Sequence, residues 1–138
     1  LEPEAERPGW IQPFTNISWV LAGGMEIPAG ASGVSHSYET AVPRQLQFHT
    51  ANMHMHTRGV SGGMSIGRSD GSEDCLIQID DWDFDWQRTY VFDEPKTIEQ
   101  GDNWQLECTW DNPTDDDMDW GDGTGDEMCL GTVMVTLD

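Results

Sequence analysis

The chain has 138 residues, with 6 Lys and Arg against 26 Asp and Glu, a formal net charge of -20. A surface so acidic repels phosphate backbones and anionic bilayers, which excludes nucleic acid and membrane as expected partners, and no run approaches the roughly 18 apolar residues of a membrane span. The 7 Trp, 4 Phe and 2 Tyr separate it from disordered acidic chains, which are poor in aromatics, and the length suits one domain with one core.

Residues 1–10 read as a linker or a cut terminus: they are polar, rich in Pro and Glu through Arg7-Pro8, and begin without Met. The domain is expected over 11–138. There the punctuation is β-like, with Gly or Pro at Gly23-Gly24, Pro28-Ala29-Gly30, Pro43, Gly62-Gly63, Asp70-Gly71, Pro95, Gly101 and Pro113. Alternating runs lie between the breaks. Trp82, Phe84 and Trp86 share one parity within their run, and so do Trp104, Leu106, Cys108 and Trp110, and Val133, Val135 and Leu137 in theirs. Strands send successive side chains to opposite faces, so these runs predict half-buried strands. No window sustains the i, i+3, i+4 apolar spacing of a helix. The expected fold is all-β, an antiparallel β-sandwich of the jelly-roll kind.

Asn52-Met53-His54-Met55-His56 is the sharpest local feature. Histidines at i and i+2 of a strand project from one face, where two imidazoles can converge on one ion. His49 has the opposite parity and His36 belongs to another segment, so both read as ordinary histidines. Asp111 to Glu127 is acidic and glycine-rich and reads as an exposed, solvated loop between two strands. Calcium is its alternative reading, but the Gly that an EF-hand register demands is misplaced. The loop ends in Asp126-Glu127-Met128-Cys129. Met128 is either a core methionine at the start of the last strand or a soft ligand, and a thioether beside two imidazoles favours copper, Cu(I) above all. The three cysteines, Cys75, Cys108 and Cys129, are an odd number, and spacing leaves their connectivity open.

Taken together and in this order, the motifs closely resemble the carboxy-terminal domain of the copper type II, ascorbate-dependent monooxygenases. The resemblance runs from about Leu21 to Val135. It includes Leu21-Ala22-Gly23, Ile27-Pro28-Ala29-Gly30, His54-Met55-His56, Arg58-Gly59-Val60, Asp83-Phe84-Asp85-Trp86-Gln87, Gly101-Asp102, Cys108 and Asp126-Glu127-Met128-Cys129. It implies a copper ion, cycling between Cu(I) and Cu(II), on His54, His56 and Met128, where dioxygen is activated to hydroxylate a C–H bond of a small substrate. It implies ascorbate or another one-electron reductant as co-substrate, and a jelly roll of about nine strands. It also implies a disulfide between Cys108 and Cys129, which would tie Met128 to the strand before the loop. Such a bond forms in oxidising compartments, so the expected location is secreted, periplasmic or extracellular. Glu127 or Gln87 is available to orient an imidazole.

Departures from the family pattern qualify the substrate. Its complete enzymes carry a preceding domain with three histidines and a second copper, and Leu1 to Val20 contains no histidine. An upstream domain is therefore an expected partner, and the chain alone is expected to be inactive. Peptide-amidating members hold substrate through an arginine and a tyrosine where Asn52 and Thr132 stand here, so peptidylglycine is a poor expectation. A second family cystine has no counterpart: His36 lies near its first position, and Cys75 does not replace it. The rival from another class is a non-catalytic copper-binding or adhesion module that retains the site. A third reading is a calcium-dependent carbohydrate-binding sandwich.

Overall fold

The structure, a computed structural model, describes residues 8–137. Eight strands appear among these residues: β1 (Gly9–Phe14), β2 (Val34–Ala41), β3 (Leu46–His54), β4 (Gly59–Gly67), β5 (Glu73–Ile79), β6 (Tyr90–Ile98), β7 (Asn103–Trp110) and β8 (Leu130–Thr136). They form two antiparallel four-stranded sheets in the orders β1-β8-β3-β6 and β2-β7-β4-β5. The fold is thus all-β, a sandwich, as the period-2 alternation requires. The resemblance implied about nine strands. Some of the remaining chain is held by isolated bridges, Ile27 to Met118 and Trp120 to Glu127, rather than by a further strand.

The core lies between the sheets. From β7, Trp104, Leu106, Cys108 and Trp110 all point inward and are buried, and from β8 Val133 and Val135 meet them. Phe14 of β1 stacks on Trp104 with ring centroids 3.9 Å apart, and Phe48 of β3 packs against the same indole at 4.9 Å. Aromatics at facing positions therefore join the sheets across the middle. The Cys108–Cys129 disulfide is present and crosses the same gap, with Cα atoms 5.9 Å apart, from β7 to the residue preceding β8. Cys75 is the free cysteine among the described residues, and it is exposed.

Four expectations need correction. Gly9 and Trp10, assigned to the linker, lie in β1 opposite Thr136 and Val135, while Leu1–Arg7 fall outside the described residues. A helix exists: α1 (Ile17–Ala22) starts at Asn16, whose side chain accepts from the Ser18 N–H, and ends at Gly23 with φ +71°. Six residues give less than two turns, too short for periodicity to register. The Trp82–Trp86 alternation is not a strand. Asp83 caps a single 3-10 turn over Phe84–Trp86 by accepting from the Asp85 N–H, so local side-chain bonding overrides the pattern.

The acidic loop, fourth, is not simply solvated. Asp119 accepts from the N–H groups of Gly24, Met25 and Trp120, Asp117 from Ala29 and Asp111 from Gly33. The Asn112 side chain, fully buried, donates to the carbonyls of Ile27 and Asp116. These carboxylates serve as acceptors for the backbone of residues 24–33, the role a turn-rich segment needs filled.

Candidate metal centre

The end of β3 and the two residues after it alternate Met-His-Met-His. Met53 and Met55 are buried in the core, which forces His54 and His56 to the opposite, half-buried side. Their rings stand nearly perpendicular, at 78°, with centroids 5.3 Å apart. Each ring is held at Nδ1. That of His56 meets the Asp126 backbone carbonyl at 2.9 Å, and a carbonyl only accepts, so this nitrogen carries the proton. The Nδ1 of His54 lies 2.6 Å from Gln87 Oε1. Gln87 Nε2 donates to the Phe84 carbonyl at 2.7 Å, which fixes the amide so that Oε1 faces His54 and accepts from it. In the neutral imidazoles both Nε2 lone pairs are then left available as donors to a metal.

Met128 lies at the end of the acidic loop, two residues before β8. β3 and β8 pair Asn52 with Thr132, Met53 with Gly131 and His54 with Leu130. Continued two residues past the ends of both strands, that register would set Met128 opposite His56. Directly opposed residues of an antiparallel pair share a face. The disulfide at Cys129 and the Thr15 hydroxyl, which donates to the Cys129 carbonyl at 2.8 Å, fasten the chain beside it.

Glu127 is fully buried and holds the backbone around the histidines. Its Oε1 accepts from the Arg58 N–H at 2.7 Å, and its Oε2 from the His56 N–H at 2.8 Å and the Trp110 indole at 3.0 Å. Of the two residues expected to orient an imidazole, Gln87 touches a ring and Glu127 grips the main chain. The second imidazole is oriented by the carbonyl of Asp126, which no side-chain motif could signal. The Trp82 indole donates to the His56 carbonyl at 3.0 Å, and the Phe84 ring stands 6.4 Å from the His56 ring. The Asp126 carboxylate folds back over Gly121 and accepts from the Gly123 N–H at 3.0 Å. A Cβ at Gly121 would collide with that carboxylate, so the close approach needs glycine there.

The other histidines lie elsewhere. His49, beside the β3 irregularity at Phe48/Thr50, bonds Thr136 Oγ1 at 2.8 Å, and His36 bonds the Glu26 carbonyl at 2.9 Å. Among the described residues no three His, Cys, Asp and Glu side chains gather into a ligand set. Asn52 and Thr132 face each other across β3 and β8. The Asn52 amide is engaged, donating to the Arg88 carbonyl at 2.8 Å.

A β-sandwich that offers two oriented imidazoles beside a disulfide-anchored methionine defines a candidate mononuclear centre with mixed nitrogen and sulfur donors. The chain belongs to the copper type II ascorbate-dependent monooxygenase family, C-terminal domain, whose family model matches residues 20–135. It is similar to the human DBH-like monooxygenase protein 1, with 28% identity over 102 residues, 73% of this chain and 17% of the relative. The chicken protein of the same name is 28% identical over 130 residues, 91% of this chain and 21% of the relative. The chain thus spans about a fifth of the length of these curated relatives. A solved structure of infectious bursal disease virus, Gx strain, overlaps 94% of this chain and 32% of its own at 16% identity, with a TM-score of 0.33 that carries no argument. Among the described residues no helix is long and apolar enough to cross a membrane.

Proposed function

We propose that this chain is the dioxygen-activating domain of an exported copper monooxygenase, with copper held by His54, His56 and Met128. The observation that carries the proposal is the pair of imidazoles 5.3 Å apart, each tied back at Nδ1 so that Nε2 is free to bind metal. Family membership and the register of Met128 support it. The donor set fits copper: imidazoles suit Cu(II) and Cu(I), and a thioether favours the reduced ion over zinc or magnesium.

When bound, copper would supply one-electron redox chemistry at the place where dioxygen and a substrate C–H bond meet. The chain's own part is positional. Gln87 and the Asp126 carbonyl fix tautomer and ring angle, so both Nε2 atoms are ready without reorganisation. The disulfide holds Met128 in register, and Phe84 covers one side of His56. With Asn52 committed to Arg88 and Thr132 opposite it, no cationic side chain on these two strands is set to grip an anionic substrate end. This supports a small substrate other than a peptide carboxylate. Ascorbate or another one-electron donor would serve as reductant, and an upstream domain would bring the second copper. The disulfide supports an oxidising, extracytoplasmic location.

Competition titration with a Cu(I) chelator tests the site. The parent takes up about one equivalent per chain, His54→Ala and His56→Ala lose tight binding, and Met128→Ala weakens Cu(I) more than Cu(II). Binding by all three variants that matches the parent would refute the assignment.

A further inference from the structure

We propose that β1 and α1 form the seat of the preceding domain, an uncharged apolar surface that holds that domain at the metal end of the sandwich. The inference rests on the two-domain part of the reading above. From Gly9 to Met25 no residue carries a charge, in a chain of which 23% is charged. The edge strands β1 and β2 face each other across the core, with the Phe14 and Tyr38 rings 5.2 Å apart. Helix α1 covers that side of the sandwich. Trp19 is buried there, its ring 6.1 Å from that of His36 and 6.4 Å from that of Tyr38. At roughly 100° per residue, Ile17, Val20 and Leu21 share the opposite face. They are 60%, 40% and 78% exposed. A surface helix ordinarily turns its polar face to water, and this one turns aliphatic side chains there. β1 adds Trp10 and Ile11, both exposed, on an edge strand whose free side no charge protects.

Clustered exposed apolar side chains mark interaction sites, and the character of this surface selects its occupant. With no charge to pair, it suits an apolar counterpart rather than a basic or an acidic one. A second copy would bring another net charge of -20 against it, which opposes self-association. A domain on the same chain needs no free encounter, because tethering raises its effective concentration. β1 is the first strand, so a preceding domain joins this one through the residues before Gly9, at the surface itself. The relatives extend far beyond this chain, which covers 17% and 21% of them, and the matching family model is that of a C-terminal domain. The surface also lies at the metal end. Thr15, at the corner between β1 and α1, donates to the carbonyl of Cys129, the neighbour of Met128. A domain seated on α1 would therefore stand beside the proposed centre.

The test compares amide hydrogen exchange in the 138-residue chain and in the full-length protein. Peptides over residues 9–22 should exchange at least about tenfold more slowly in the full-length protein, while β5, on the far edge of the other sheet, should exchange alike in both. In Ile17→Asp with Leu21→Asp the protection of residues 9–22 should disappear. Both side chains are exposed, so the same change should leave the Tm of the isolated chain within about 3 °C of the parent. Should the double variant fail to fold, Leu21→Asp alone, at the more exposed position, makes the same test. Equal exchange over residues 9–22 in the two proteins overturns the proposal, as does a full-length protein with no domain before this one. Sedimentation equilibrium of the isolated chain should give a monomer. A dimer that Leu21→Asp dissociates would assign the surface to a second copy and overturn the proposal as well. Copper titration judges the other reading separately. Protection of residues 9–22 without Cu(I) uptake keeps this inference and removes the metal site, whereas Cu(I) uptake without protection removes this inference alone.

Discussion

Replacing both half-cystines, as Cys108→Ala with Cys129→Ala, removes the disulfide that ties β7 to the residue before β8 and should cost stability by a calculable amount. The two residues are 21 apart in sequence. The chain-entropy relation for a loop of that size gives about 11 cal/mol/K, or about 3.3 kcal/mol at room temperature. For a domain of this length each kcal/mol moves Tm by roughly 3–4 °C, so the expected drop is about 10–13 °C. Both sulfurs are fully buried, and the space they vacate adds to the loss, making 10 °C a floor. The assay is thermal unfolding followed by circular dichroism in a Cys75→Ser background, where no thiol remains to exchange. The same variant should bind Cu(I) more weakly, because Met128 is the neighbour of Cys129. A Tm within about 3 °C of the parent would refute the reasoning. It would mean that β8 and the Phe14–Trp104–Phe48 stack already hold the sheets together without the bond.

Other perturbations separate positioning from ligation and structure from function. Gln87→Leu removes the acceptor at His54 Nδ1 and should weaken Cu(I) binding by about 10–100-fold without abolishing it; a parent-like affinity would show that this hydrogen bond does not set the ring. Loaded with copper and given ascorbate, the chain alone should hydroxylate benzylic, phenethylamine and peptidylglycine substrates negligibly, because two electrons are needed and one proposed centre is present. Robust turnover by the isolated chain would overturn the two-domain reading, and an upstream region without histidines would favour the non-catalytic module. Arg68→Ala removes the guanidinium that hydrogen-bonds the Asp102 carboxyl at 2.7 Å and should destabilise the fold by about 2 kcal/mol. That hydrogen bond, from Arg68, is the main cause holding the Asp102 carboxyl below its usual range, with Glu99 and Ser69 N–H groups adding to it. A depressed carboxyl stabilises the fold fully above the unfolded value of about 3.9, and loses that contribution as pH falls through the lower folded one. The gap between parent and variant should therefore narrow below about pH 4 in urea titrations, and a gap independent of pH would count against the pair.

Strand and turn chemistry made much of the fold legible. The parity of Trp104 to Trp110 and of Val133 and Val135 gave the inward faces of β7 and β8, because burial on one face of a strand leaves a period of two in the residues themselves. The same parity set His54 and His56 apart from Met53 and Met55. Where local bonding competes with alternation, the reading failed. Asp83 turned an alternating run into a 3-10 turn, and Asn16 started a helix of less than two turns. The acidic loop misled for a related reason: its carboxylates looked like solvent-facing charge, yet Asp111, Asp117 and Asp119 bind backbone far away in sequence.

Residue chemistry by itself determined that two imidazoles share a face, and the family resemblance added Met128 and the pairing of Cys108 with Cys129. It could not determine their company. The acceptors at the two Nδ1 atoms are a side chain 33 residues from His54 and a backbone carbonyl 70 residues from His56. A carbonyl has no signature in sequence, and a Gln has one only once its partner is known. Glu127 is the sharper case, since its long-range partners His56, Arg58 and Trp110 come from the turn after β3 and the end of β7. Pairing of β3 with β8 and closure of the sheets over the core bring those segments to one point. Hydrogen bonds act over about 3 Å, so only the tertiary structure decides which of them exist.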